Sequence, residues 1–161
     1  MREILLVIHI LLGITWVGGI MFIGWGVFPA TLHMTLENQR QFLIRLMKGS
    51  HHLFSFIGAM VIITGVLLGT VFGPIKSLDT LLHSTYGHLF LTAFILGIFT
   101  LFWGIFVGYH QMMDIFTDEY YWKEAENGNK SPLIRALSKL TLLESVEVMG
   151  FIAIVVIMVL L

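Results

Sequence analysis

Four long apolar runs, at about residues 4–28, 53–72, 86–107 and 140–161, alternate with shorter polar stretches along the chain. Each supplies the roughly 20 apolar residues a helix needs to cross a bilayer. Pro29 is expected to close the first run and Gly73-Pro74 the second, since proline interrupts the helical hydrogen-bond ladder. The third run is expected to continue as helix beyond the bilayer. Connections of this length between consecutive helices predict an all-α fold, an antiparallel four-helix bundle forming one domain over residues 1–161. No internal repeat and no low-complexity segment interrupts this pattern.

Composition makes the pattern a membrane pattern. Hydrophobic residues are 57% of the chain and charged residues 12%, and mean hydropathy is +0.91. A soluble domain carries about 25% charged residues. The apolar runs are too long and too many for a signal peptide ahead of a soluble body. The first lacks a small-residue cleavage site and is expected to be retained. Arg40, Arg45 and Lys48 follow the first run, and Lys123, Lys130, Arg135 and Lys139 follow the third. Only Arg2 and Lys76 lie on the other side, seven cations against two. The positive-inside bias places the first and third loops in the cytoplasm and both termini outside. The expected location is a bacterial or archaeal cell membrane, with the lipid bilayer as first partner.

Charge and cysteine content narrow the chemistry. A formal net charge of −1 without a basic cluster gives no nucleic-acid surface. With no cysteine there is no disulfide, no thiolate metal site, no haem attached through Cys-x-x-Cys-His and no iron–sulfur cluster. Seven histidines then carry most of the ligand capacity. The polar loop at 112–131 contains Asp118-Glu119-Tyr120-Tyr121-Trp122, expected as an interfacial aromatic anchor before a solvated turn at Asn127-Gly128-Asn129. A docking surface for a partner is the alternative for this loop.

Histidine depth is the informative quantity. In the first run His9 and Trp16 are seven residues apart, about two helical turns, and therefore share a face. Gly13 sits one turn from His9, leaving room for a bulky group. His88, near the start of the third run, ends at a depth similar to that of His9. Two imidazoles on different helices are the axial pair a b-type haem needs, and a bundle core suits the flat macrocycle. The alternative is that both are interfacial histidines bonded to carbonyls or headgroups. A second group lies toward the opposite surface: His51, His52, His110, Glu144 and Glu147. His88 and His110 are 22 residues apart, about 33 Å of helix, more than the hydrocarbon thickness of about 30 Å. They cannot serve one site. The second group suits a second haem on His52 or His51 with His110, a copper, zinc or iron site, or a proton relay. Alternatively its histidines lie at headgroup level and its glutamates pair with Lys139 or Arg135. His33 and His83 fall in loops and are expected to be solvated. Gly58, Gly65 and Gly69 form a stripe expected to serve close helix packing.

Four stretches carry a family resemblance. His9, Trp16, Gly18 and Gly19 resemble the opening helix of the copper-resistance D (CopD-like) membrane domain and of the related HemJ-type proteins. Ile63-Thr64-Gly65-Val66 resembles the Thr-Gly of that family's second helix. Ser84-Thr85-Tyr86-Gly87-His88 resembles its Tyr-Gly start of the third, and Tyr109-His110 the close of the HemJ helix. The resemblance covers the first three runs and implies a helical bundle that handles haem, porphyrin or copper, with His9 at the family's functional position. The family's lysine early in the third helix is absent here. Its absence removes support for porphyrinogen-oxidase chemistry, and His88 stands nearby.

The leading expectation is a membrane b-type cytochrome performing one-electron transfer, with quinone or a partner redox protein. One haem is expected on His9 and His88, near Gly13 and Trp16, and a second is allowed for by His52 and His110. One competing expectation is a copper or divalent-metal transport protein using His9, His51, His52, His88, His110, Glu144 and Glu147. The other is a cofactor-free assembly subunit of a membrane complex. Sequence leaves homo-oligomerisation open, because lipid-facing and partner-facing apolar surfaces have the same composition.

Overall fold

The computed structural model describes all 161 residues, and every element in it is helical. We number them α1 Arg2–Thr31, α2 Leu36–Gly69, α3 Leu78–His83, α4 Thr85–Thr117, α5 Glu119–Glu126 and α6 Ser131–Leu160. Helices α1, α2, α4 and α6 are each long and apolar enough to cross a membrane. They form the expected four-helix bundle.

The helices overrun the predicted spans at one end. Helix α2 has 34 residues, about 51 Å at 1.5 Å per residue, against about 30 Å of hydrocarbon. The surplus lengths of α2, α4 and α6 come together with α5 in a small apolar cap. Its core includes Leu43, Met47, Phe116, Trp122, Ala125 and Leu133. The expected interfacial anchor is corrected here. Trp122 is 2% exposed and donates its indole N–H to the Ile115 carbonyl at 3.1 Å. Only Tyr120 of the aromatic run stays outside. The turn after α5 follows expectation, with Gly128 at φ 93°, where a side chain would be strained. On the surface of α5, a hydrogen bond from the Lys123 ammonium at 2.6 Å holds the Glu119 carboxyl below its ordinary range.

Arg40 ties this cap to the bundle. Its Nε donates to the Phe116 carbonyl at 2.9 Å and its terminal nitrogen to the Thr117 carbonyl at 2.7 Å. These are the last carbonyls of α4, which lack helical donors and sit at the negative end of the helix dipole. Arg40→Ala is expected to cost on the order of 1–2 kcal/mol, the low side for charged hydrogen bonds because one is exposed. Hydrogen exchange should accelerate across residues 112–126 while the spans stay protected. Unchanged exchange there would show that the cap holds without the clamp.

At the opposite end Lys76 donates to the Thr70 and Val71 carbonyls at 2.7 and 2.9 Å, closing α2. Ser77 and Ser84 accept from Thr80 N–H at 3.1 Å and Gly87 N–H at 2.9 Å, and so start α3 and α4. Arg2, Pro74 and Leu161 line one cavity, which places both termini and the α2–α3 connection at this end.

Two spans depart from regular α-helix. Helix α1 has a π-helical segment at Ile23–Val27, and α4 has one at Trp103–Gly108. The first precedes Pro29, whose missing N–H would break the ladder there. The helix therefore passes Pro29, expected to end it, and stops at Thr31. Such π segments are rare and frequent at functional sites.

Candidate functional site

Small residues set how the helices meet, and they meet around two chambers. Helices α1 and α2 run antiparallel, with His9 against Gly65 and Trp16 against Gly58. A Cβ added to Gly65 would lie 3.1 Å from His9 Cε1, and one on Gly58 would lie 2.8 Å from Trp16 Cε2. The glycine stripe of α2 thus packs closely, as expected, with Gly65 against His9, Gly58 against Trp16 and Gly69 against Phe90 of α4. Gly13 does not share this role. Its would-be Cβ meets nothing within 4 Å, and it lines neither chamber.

His9 lines a chamber of about 280 Å³ at the terminal end, with Arg2, Tyr86, Phe90, Phe94 and Met158 among its walls. Its Nδ1 lies 2.8 Å from Thr64 Oγ1. The Thr64 hydroxyl also lies 2.7 Å from the Met60 carbonyl and 3.0 Å from the Val61 carbonyl. Carbonyls only accept, and when the single hydroxyl proton goes to one of them Thr64 Oγ1 accepts from His9 Nδ1–H. That tautomer leaves the His9 Nε2 lone pair unused. A histidine held this way through its other nitrogen is the usual arrangement of a metal-ligating imidazole.

His88 is not brought to this chamber. Its side chain is exposed, and its Nε2 donates to the Leu82 carbonyl of α3 at 2.6 Å. Depth alone suggests the His9–His88 pair, and direction around α4 separates the two. Thr92 is exposed with His88, one turn further along α4. Trp16 is 4% exposed, stands edge-on to Phe151 at 5.0 Å and borders both chambers as the partition between them.

The second chamber, about 360 Å³, lies between that partition and the cap. Both π segments contribute to its wall, with His51, Tyr109, Glu144 and Glu147. The α4 segment is where the two glutamates are accommodated. A Cβ on Gly104 would stand 2.6 Å from Glu147 Oε1, and one on Gly108 2.7 Å from Glu144 Oε1. Two glycines spaced four apart on α4 thus face two glutamates spaced three apart on α6. Glu147 is 5% exposed and makes no side-chain hydrogen bond, and Glu144 Oε1 is buried without a partner. Neither carboxylate pairs with Lys139 or Arg135, the partners considered from sequence: the two side-chain ion pairs are His83–Asp79 and Lys123–Glu119.

The adjacent histidines separate here. His51 faces the chamber and stacks on Tyr109 with ring centroids 3.8 Å apart. His52 and His110 are exposed, edge-on to His51 and Tyr109 at 5.3 and 5.8 Å. Neither pair considered for a second haem, His52 or His51 with His110, converges inside the bundle, because only His51 lines the chamber. No three His, Asp or Glu side chains come close enough together to hold a metal ion. His33 and His83 are exposed, as expected, but His83 ends helix α3 rather than lying in a loop.

Several residues that matter here do not stand out in the sequence. Thr64 is visible there only as part of a motif, and its contact with His9 spans 55 positions. Gly104 and Gly108 carry a readable signal, small residues at helical spacing on a span paired with one that holds two acids. Tyr109 is likewise visible only as part of a motif, and Trp25 has no signal. No family model matches the chain, and neither the curated proteins nor the solved structures contain a match to it.

Proposed function

We propose that the protein is a membrane haem protein that holds one b-type haem in the terminal chamber, with His9 as its protein imidazole ligand, and passes single electrons. The observation that carries this reading is the 2.8 Å contact of His9 Nδ1 with Thr64 Oγ1, which orients the ring and, with Nδ1 as donor, leaves Nε2 available to iron. The donors suit such a group, and the chamber of about 280 Å³ would have to widen to admit the whole macrocycle. One oriented imidazole, an apolar chamber walled by Phe90 and Phe94, and a guanidinium at Arg2 able to meet an acidic substituent are all present. No second histidine lines the chamber, so the bis-histidine form expected from sequence lacks its second ligand. The resemblance to CopD-like and HemJ-type proteins points the same way.

When bound, the haem supplies reversible one-electron chemistry. The chain's own residues bind and tune it. His9 would ligate the iron, Thr64 would orient the imidazole through Nδ1, and Trp16 closes the floor against the second chamber. A quinone or a partner redox protein is the proposed electron partner. The cation asymmetry of the loops supports an outward-facing terminal end.

The test is an oxidised-minus-reduced absorption spectrum of protein produced with ample haem, with haem counted per chain. One haem per chain is expected, absent from His9→Ala. Thr64→Val is expected to weaken haem binding about 10–100-fold, the usual cost of losing a ligand's hydrogen-bond partner. A parent protein without a haem signal, or a His9→Ala variant that keeps it, would sink the reading.

A further inference from the structure

The second chamber is not used by the proposed haem site, and its chemistry differs. Among its lining residues the charged groups are Glu144 and Glu147, with no lysine or arginine. Glu147 is 5% exposed, borders the chamber and has no hydrogen-bond partner, and one oxygen of Glu144 is also unpartnered. Buried acids without partners are expensive, and inside a membrane span they mark a ligand or ion pathway by default. The α4 π segment with Gly104 and Gly108 makes the space for them.

The remaining walls indicate which ligand answers these acids. Trp16, Trp25, Phe28, Phe54, Tyr109 and Phe116 surround the chamber. Aromatic faces attract organic cations, most strongly when desolvated. The volume of about 360 Å³ falls within the about 300–1,000 Å³ of small-molecule pockets and far exceeds the need of a bare ion. A metal ion is also disfavoured because His51, Glu144 and Glu147 do not gather as a ligand group. Trp25 and Met149 line the chamber and are 68% and 70% exposed on the apolar outer face of the bundle. The chamber therefore opens sideways, toward lipid, between α1 and α6.

We propose that this chamber binds a lipophilic organic cation, an amine or quaternary ammonium on an aromatic or alkyl body, with Glu147 and Glu144 as its counter-charges. The ligand's apolar body lies against the indole and phenyl walls, and its cationic head replaces the missing lysine or arginine partner of the two acids.

An isosteric probe pair tests this on the full chain in a maltoside detergent, by calorimetry at about pH 9, well above the ordinary carboxyl range. Phenyltrimethylammonium is expected to bind saturably at one per chain. tert-Butylbenzene, of the same shape without charge, is expected to bind at least tenfold more weakly. Glu147→Gln should lower affinity for the cation at least tenfold and leave affinity for the neutral probe unchanged. Should Glu147→Gln fail to fold, Glu144→Gln and the charged-to-neutral ratio on the parent decide. Absence of saturable cation binding, equal affinity for the two probes, or a cation affinity insensitive to the glutamine substitution would each overturn the proposal.

Discussion

Trp16→Ala is expected to destabilise the protein by about 3–5 kcal/mol, the usual cost of truncating a buried tryptophan. The reason is its position. The ring is 4% exposed, fits the notch left by Gly58 and meets Phe151 edge-on, itself 1% exposed. Removing it leaves a void that three different helices would have to collapse together to fill. For a chain of this size the melting midpoint in mild detergent should fall on the order of 10 °C. The same change removes the partition between the two chambers, so any binding of the proposed haem and of the proposed cation should weaken together. Trp16→Phe keeps most of the ring and should lose much less. A Trp16→Ala protein with an unchanged midpoint would mean the helices close over the gap and Trp16 is not the keystone of α1.

Gly87→Ala is the second large effect. A Cβ at position 87 would collide with the backbone carbonyl oxygens of Thr80 and Leu81. Backbone cannot swing aside as a side-chain tip can, so α3 must lift from α4. Overpacking of this kind costs about 1–3 kcal/mol or more. Here it also breaks the corner that seats the His88–Leu82 bond, 2.6 Å long. We expect a lower melting midpoint and faster hydrogen exchange across residues 77–88, with the capped end unaffected. Retention of parental exchange would show that the corner has slack. The prediction also gives the Tyr86-Gly87 pair, conspicuous in the sequence for its family likeness, a physical reason: only glycine lets α3 cross the start of α4 so closely.

The difference between those two residues illustrates how legible the protein is. Trp16 stands out in the sequence because seven residues from His9 is two helical turns, and periodicity survives into the fold. His9 and Trp16 do share a face, and it is the face turned to α2. Gly87 is visible in the sequence but unexplained there, because its constraint comes from carbonyls in a different helix. Gly13 fails for the same reason in reverse. It lies on the expected stripe, but no neighbouring helix approaches there.

Hydropathy by itself determined the four spans, the all-α class and the even count that returns both termini to one end. A bilayer allows only elements that satisfy their own backbone, so an apolar run of sufficient length has almost one solution. The cap opposite the termini escaped this logic, since Trp122 has the composition of an interfacial residue and becomes core only when α2, α4 and α6 extend past the apolar spans around it. The sites escaped it too. Sequence gives a side chain's depth along its helix, but azimuth depends on how each helix rotates against its neighbours. That rotation turned His9 inward onto Thr64 and His88 outward onto Leu82. It also turned His51 into the second chamber and His52 away from it. The contacts that chose it, Gly65 with His9, Gly58 with Trp16, and Gly104 and Gly108 with the two glutamates, join residues far apart in the chain, and only the packed bundle brings them together.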